Sequence, residues 1–370
     1  MIKRVKIKNF RSLDIDVALD PVTVLVGRSG AGKSNFVDAM RHLRNCLRNP
    51  EKSDNSNIAP LSRAKDSFLE YELSFDVSQI EGTFLYAIKI SYDGRCKEEK
   101  LLFENDLLFH RQGNKWLKQP AVQTNERNNI FLPKLKGIQK VSIAHIALSE
   151  GIGCYDFPGD ICTESRSNST ETFKGLYDTG KNINSVFGEI RQDLTRLDSW
   201  NRINDSMRFL NNSIETIDQD TGAILVTHRF GNDSMVLNLS RESEGCRRFF
   251  AYLLAFHQSP PKQTMIFEEP EKGLYPAAFA ALAEEMQNCP TTGQGQVILT
   301  THSPELLNSF SPESIRVVVM ENGLTKIGPI ATDQMESLKS YLLRPGELLT
   351  VDDARMAPSV TSSEVRSVTV

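Results

Sequence analysis

Gly27-Arg28-Ser29-Gly30-Ala31-Gly32-Lys33-Ser34-Asn35-Phe36 decides how this chain is read. The run matches G-x-x-x-x-G-K-[ST], the pattern of a phosphate-cradling loop. Its context agrees: the apolar run Val22-Thr23-Val24-Leu25-Val26 predicts a buried strand before it, and Asn35 to Leu47 suits a helix after it. Glycines let such a loop curl until its N–H groups point inward at the helix start, where the helix dipole favours an anion. Gly27, Arg28, Ser29, Gly30, Ala31, Gly32, Lys33, Ser34 and Asn35 are therefore candidate nucleotide-binding residues. Lys33 would reach the β- and γ-phosphates, and the Ser34 hydroxyl would ligate Mg²⁺. A chance glycine turn would lack the flanking strand and helix.

Bulk properties set bounds. The 370 residues suffice for one large or two ordinary domains. A hydrophobic content of 39% and a charged content of 24% predict a soluble globular chain, not disorder. A net charge of −4 provides no overall basic field for nucleic acid or an anionic membrane, and leaves only a local patch open. The longest apolar runs, such as Phe249 to Phe256, are too short to span a bilayer. The N-terminal run Met1-Ile2-Lys3-Arg4-Val5-Lys6-Ile7 reads as a strand and not as a signal peptide. A cytoplasmic chain without membrane attachment is expected. Cys46, Cys96, Cys154, Cys162, Cys246 and Cys289 include no C-x-x-C pair and read as reduced thiols, and no His spacing suggests zinc.

Along the chain, residues 1–26 predict two or three strands. Residues 49–66, with Pro50 and Pro60, predict a loop. Leu69, Tyr71, Leu73 and Phe75 alternate with polar neighbours, and Phe84, Tyr86, Ile88, Ile90 and Tyr92 repeat the pattern up to Asp93-Gly94, so an antiparallel meander follows the loop helix. Residues 151–184 read as polar and irregular, with a Ser/Thr/Asn-rich run from Thr163 to Thr170. Val186, Ile190, Leu194, Leu197, Met207, Leu210 and Ile214 have helical spacing, for one or two helices over about 185–213. Hairpin strands follow from Ile214 to Leu239, turning at Asp220-Thr221-Gly222 and Gly231-Asn232. From Ser243 the pattern is helix, strand, helix, strand, as in a parallel α/β core. Strands are expected at Ile315 to Met320 and Leu324 to Ile327, a helix at Asp333 to Leu342, and a frayed tail from Ala357 to Val370.

Thr264-Met265-Ile266-Phe267-Glu268-Glu269-Pro270-Glu271 is an apolar strand ending in carboxylates. A phosphate-loop enzyme needs one acid there for the Mg²⁺ shell and another to orient the attacking water. By position Glu268 takes the first role and Glu269 the second; a charged turn after a core strand is the plainer alternative. The next strand, Gln296 to Thr300, runs into Thr301-His302-Ser303-Pro304, so His302 sits where ligands bind in α/β sheets. Ser243-Glu244-Gly245 opens an evident helix, with Ser243 a suitable cap and the helix start a ready anion site. Arg41, Arg44 and Arg48 fall at i, i+3 and i+7 on the loop helix; they could meet DNA phosphates or form a solvated face.

The order of phosphate loop, long insertion, Ser-x-Gly helix, Glu-Glu-Pro-Glu strand and His after a strand resembles the ABC-type ATPases of the RecF/OLD/SMC group. The resemblance covers residues 1–35 and 235–310 well and 36–234 in outline. Ile7-Lys8-Asn9-Phe10-Arg11-Ser12 is similar to the group's N-terminal strand and turn, which implies that Arg11 lies near the nucleotide. Glu269 to Pro276 resembles its combined Walker B end and D-loop, with Tyr275 where a His is frequent and Glu268 where Asp is commoner. The resemblance implies an α/β fold: an ABC-type ATPase head with a mixed core sheet, an antiparallel β subdomain and a short helical insertion. It divides the chain into lobe I (1–150), a helical insertion (151–213), lobe II (214–345) and a C-terminal tail (346–370). It implies ATP and Mg²⁺ as cofactors, and ATP hydrolysis with Glu269 and His302 as catalytic residues. Two heads would face each other as a homodimer or higher assembly, each ATP lying between one phosphate loop and the Ser243-x-Gly245 helix of the other. The family's glutamine loop stays open between Gln123 and Gln139.

Relatives of the OLD type carry a C-terminal Toprim nuclease domain. Here 68 residues follow His302, so no nuclease activity is expected of this chain, and Asp352 and Asp353 read as a solvated pair. Leu343-Arg344-Pro345-Gly346-Glu347-Leu348-Leu349 is similar to a terminal segment of compact ATPases in this group that work beside a separately encoded effector, a merely packed segment being the alternative. The function implied is an ATP-driven switch that senses a trigger and controls a separate nuclease or toxin in bacterial anti-phage defence. The competing reading is a DNA-repair or recombination ATPase acting directly on DNA. A membrane-transport ATPase subunit fits the Ser-Glu-Gly and Glu-Pro-Glu motifs less well.

Overall fold

The computed structural model describes residues 1–49, 67–91, 94–120, 130–135, 137–162 and 175–358. Alternating apolar residues place β1 (Ile2–Phe10) and β2 (Leu13–Ala18) half-buried, whereas β3 (Val22–Val26) is apolar on both faces and sits inside. Then come α1 (Lys33–Arg48) and the meander β4 (Leu69–Val77), β5 (Ile80–Ile90), β6 (Cys96–Phe103), β7 (Asp106–Gln112) and β8 (Lys115–Lys118). They are followed by α2 (Gln139–Ser149), β9 (Ile152–Tyr155), α3 (Ile183–Gln192), α4 (Leu197–Leu210), β10 (Ile214–Asp220), β11 (Ala223–Phe230), β12 (Asp233–Asn238) and α5 (Glu244–His257). The chain continues through β13 (Thr264–Glu268), α6 (Ala278–Thr291), β14 (Gln296–Thr300), α7 (Pro304–Leu307), β15 (Ile315–Glu321), β16 (Leu324–Pro329) and α8 (Thr332–Lys339).

Thirteen strands form one sheet in the order β8-β7-β6-β5-β4-β1-β2-β16-β15-β3-β14-β13-β9. From β9 to β15 neighbours run parallel, and from β2 to β8 antiparallel. The two wings meet at β16 and β2, through a single parallel pair of Thr325 with Leu13. Alternation divides the core between the two faces. Val24, Val26, Met265, Phe267, Val297 and Leu299 face the core containing α5 and α6. Leu25, Ile266 and Ile298 face the core containing α1, α2 and the meander. Strands β10, β11 and β12 form a separate antiparallel sheet, turning where Gly222 and Gly231 were expected to turn it.

One expectation is corrected, and one helix goes beyond what the sequence reading gave. The interval 151–184, read as irregular, contains β9, which is fully buried and pairs in parallel with β13 at the edge of the main sheet. Four residues interrupted by Gly153 carry no readable period. The glycine is required because a Cβ there would lie 2.6 Å from the Tyr155 hydroxyl. Helix α2 was not anticipated at all: it buries Val141, Ala144, Ala147 and Leu148 yet leaves Ile146 exposed, which blurs its apolar stripe. The 50–66 loop, the Tyr92-Asp93 end of a strand, Gln123, the Thr163 to Thr170 run and the tail from 359 lie outside the described residues. No helix among the described residues is long and apolar enough to cross a membrane.

Candidate nucleotide site

Three neighbouring parallel strands, β3, β14 and β13, deliver their carboxyl ends to one edge of the sheet: Gly27 after β3, Thr301 and His302 after β14, Glu268 and Glu269 at the end of β13. The loop after β3 is held tightly. A Cβ on Gly27 would fall 2.1 Å from the Val318 carbonyl oxygen, and one on Gly32 would fall 2.1 Å from Thr325 Oγ1. Gly30 and Gly32 have φ of 79° and 104°, the left-handed region that favours glycine. Thr325 itself donates to the Ala31 carbonyl at 2.9 Å and shares a 2.7 Å hydrogen bond with Ser12. Thr325 thus buttresses the loop from β16, a role with no local sequence signal.

Lys33 is buried and folds back on the loop, donating to the Gly27 carbonyl at 2.7 Å and that of Arg28 at 3.2 Å. An ammonium beside loop N–H groups, inside a cradle of left-handed glycines, is a donor set suited to an anion. Burial lowers the Lys33 pKa to about 8, against the raising influence of Glu269 and Glu271. The sign is clear: the ammonium is present below that value and lost above it. Phosphate binding needs the charged form, so the Lys33 contribution to ATP affinity is expected to be flat below about pH 7 and to fall by up to roughly tenfold per unit above pH 8. Calorimetry at pH 7 and pH 9 checks this. Proton uptake on binding is expected at pH 9; unchanged affinity without uptake refutes the depressed value.

Arg11 lies against the start of α1, donating to Asn35 Oδ1 at 3.0 Å and to Asp38 at 2.6 Å, while Asn35 donates to Ser12 at 2.8 Å. Ser34 is exposed at the first turn of α1, and Glu268 is half-buried at the end of β13. Glu269 adopts a left-handed backbone, φ 44°, pinned by N–H donation to Thr300 O and Thr300 Oγ1, both at 3.1 Å. Its carboxylate meets Lys272 at 2.9 Å and His302 Nε2 at 3.6 Å. His302 is pushed below the usual histidine range by burial and by Lys33. Glu271 receives the His302 N–H at 2.7 Å and the Thr301 hydroxyl at 2.8 Å, so it fixes where His302 stands. The fold therefore groups Lys33, Glu269, Glu271 and His302.

Ser243 caps α5 by accepting from the Cys246 N–H at 3.2 Å. Among the described residues no hydrogen bond joins this helix start to the phosphate loop of its own chain. Gly245 instead packs on the turn at Gly273, Leu274 and Tyr275. Gln139 opens α2, which packs on α1 and β9. The arginines of α1 serve neither reading given them. Arg44 is 3% exposed and grips Asp178 with two hydrogen bonds of 2.7 and 2.6 Å; Arg41 pairs with Asp38, and Arg48 donates to the Ser149 carbonyl at 2.6 Å. Arg44 and Arg48 bind α1 to neighbouring chain, whereas Arg41 pairs within α1 and stands 3.5 Å from Asp178. Asp353 is exposed, as read, and pairs with Arg28 of the loop; Asp352 is half-buried and accepts from Gln334 at 2.8 Å. No group of three or more His, Cys, Asp or Glu that could hold a metal gathers among the described residues.

Residues 22–308 match the family described as "AAA domain, putative AbiEii toxin, Type IV TA system". The chain is 25% identical, over a 405-residue alignment covering 94% of it and 67% of the relative, to the Old nuclease of Escherichia phage P2. It is 24% identical to the OLD nuclease of Thermus scotoductus, covering 86% of this chain and 62% of that one, so it spans about two thirds of these relatives' length. Among solved structures it is similar to an SmcHead bound to the C-winged helix domain of ScpA, with TM-score 0.59, 15% identity, and coverage of 91% of this chain and 99% of that one. It is also similar to an Smc head domain with an extended coiled coil bound to the C-terminal domain of ScpA derived from Pyrococcus furiosus, with TM-score 0.56, 13% identity, and coverage of 92% and 99%. The chain belongs to this AAA-domain family and is an ATPase of the ABC type, in the RecF/OLD/SMC group.

Proposed function

We propose that this protein is an ATP-driven switch whose catalytic sites are completed by a second copy of itself. One observation carries the reading: the capped, exposed Ser243 helix start is joined to the Glu269-bearing turn but not to its own phosphate loop. An anion site that no ligand of the same loop engages suits the γ-phosphate of an ATP held by another copy. Bound ATP supplies the phosphoryl group and bound Mg²⁺ the charge neutralisation. Ser34 and Glu268 would hold the metal, Lys33 and the loop N–H groups the phosphates, and Arg11 the region beside Asn35. Glu269 orients the attacking water, and His302, held by Glu271, stands within reach of the same region.

Cycles of engagement and release would let the chain control a separately encoded effector, a nuclease or toxin, in anti-phage defence. That setting rests on the family resemblance. The reading in which the protein acts directly on DNA loses its main structural support, because Arg41, Arg44 and Arg48 are committed to contacts within the chain.

Mixing inactive variants tests the composite site. Ser243→Arg is expected to bind ATP yet not hydrolyse it, and Lys33→Ala not to bind it. In a mixed dimer one site unites the intact loop of the first with the intact Ser243 of the second, so an equal mixture should regain about a quarter of native activity by two-fold symmetry. Normal hydrolysis by Ser243→Arg alone, or a mixture that stays inactive, sinks the proposal.

A further inference from the structure

Tyr275 is 73% exposed on a turn that leaves it little freedom. Lys272 N–H donates to the Glu269 carbonyl at 3.0 Å, Leu274 N–H to that of Glu271 at 3.1 Å, and Ala278 N–H to that of Tyr275 at 2.8 Å. The turn is locked to the start of α5. A Cβ on Gly245 would lie 3.0 Å from the Gly273 carbonyl oxygen and 3.9 Å from the Tyr275 nitrogen, and one on Gly273 would lie 2.5 Å from Glu244 Oε1. The Ser243 helix start and the Tyr275 turn therefore hold a fixed position relative to each other. A ring held in water on an ordered turn lacks the burial through which aromatic residues dominate interfaces.

Beside the first half of the phosphate loop lies a cavity of about 720 Å³. Val319, Met320, Leu348, Leu349 and Ala354 make one wall apolar, Gly27 to Ala31 of the loop and His302 line the opposite side, and Asp353 stands at it, paired with Arg28. The segment that supplies half of this wall is firmly seated. Gly346 donates to Asn308 Oδ1 at 2.7 Å and presses so closely on α7 that a Cβ would fall 2.4 Å from the Pro304 carbonyl oxygen. Buried Gln334 donates to the Asp352 and Asp353 carbonyls at 3.2 and 3.0 Å and accepts from Arg355 N–H at 2.8 Å.

We propose that Tyr275 of one copy inserts into this cavity of the other when two heads engage. The inference rests on the composite-site reading. If the helix start of one copy meets the loop of the other, the fixed contact between Gly245 and Gly273 brings Tyr275 to the border of that loop, where the cavity opens. The space admits an aromatic side chain together with the backbone that carries it. The apolar wall takes the ring, and Asp353 offers an acceptor for its hydroxyl. Under two-fold symmetry each copy gives one ring and receives one, so the surface is self-complementary. Residues 345–354 then touch the partner directly, and head engagement is felt at the C-terminal segment.

The test uses the full chain carrying Glu269→Gln and Cys162→Ser, with ATP. Native mass measures the dimer, and a short thiol cross-linker is applied to Tyr275→Cys, to Leu349→Cys and to their mixture. The expected result is an ATP-dependent dimer that cross-links in the mixture alone. Tyr275→Ala should weaken dimerisation by at least roughly tenfold, from the apolar area left unburied, with an unchanged thermal melt. Ala354→Trp, which fills the cavity, should weaken it similarly. A dimer that forms without the cross-link and is indifferent to Tyr275→Ala overturns this inference and leaves the composite site standing. Absence of any ATP-dependent dimer overturns both.

Discussion

Glu269→Gln is expected to bind ATP as tightly as the native protein and to hydrolyse it about 10²–10⁴-fold more slowly, the usual contribution of a positioned acid or base. The amide keeps the size and the polar contacts that place residue 269, including the approach of Lys272, but it cannot take a proton or hold water with a negative charge. The backbone that aims this side chain does not depend on its charge. The left-handed φ of 44° and the two N–H donations to Thr300 persist in the variant. Removing the carboxylate also removes a negative charge near Lys33 and His302. Both bases should therefore lose protons more readily, and the pH range of tight binding should contract from its alkaline side. Single-turnover hydrolysis with an independent binding titration separates the two effects. A variant that hydrolyses within about threefold of native would remove Glu269 from the chemistry.

Lys33→Ala is expected to lose nucleotide binding, by about 2–5 kcal/mol, as when one partner of a desolvated charge pair is truncated. That is roughly 30-fold to several thousandfold in Kd. The apo protein, however, should melt no lower than native. Lys33 buries an ammonium against two carbonyls, at a desolvation cost that shows in its pKa of about 8, so removing it relieves a buried charge while leaving Gly27 and Arg28 carbonyls short of a donor. Equilibrium dialysis paired with a thermal melt checks both halves. Retained affinity would mean that the backbone cradle alone carries binding. A collapse in stability would mean that Lys33 is a structural strut.

The local chemistry of the site was legible because it is written in consecutive residues. The glycine spacing, the Glu268-Glu269 pair after an apolar strand, and Ser243 before an apolar helix each need only a short window. What escaped was whatever depends on partners far along the chain. Thr325 lies 293 positions from Gly32 and is visible only as the atom that a Cβ on Gly32 would strike. Arg44 reads as a surface residue until Asp178 folds over it, and nothing near Asp353, exposed as read, marks Arg28 as its partner. Glu271 belongs to the Glu-Glu-Pro-Glu motif, yet its hold on the His302 backbone follows only from β13 and β14 lying side by side.

By itself, the sequence determined an α/β ATPase head with a parallel core and an antiparallel wing, because periods of two and of 3.6 residues and the phosphate-loop pattern are properties of neighbouring residues. Only the tertiary structure decided that β9 closes the edge of the sheet, that β16 supports the phosphate loop, and that the C-terminal segment walls the cavity beside it. These are long-range pairings, whose free energy comes from burial and hydrogen bonds between segments with no mark of each other in their own residues.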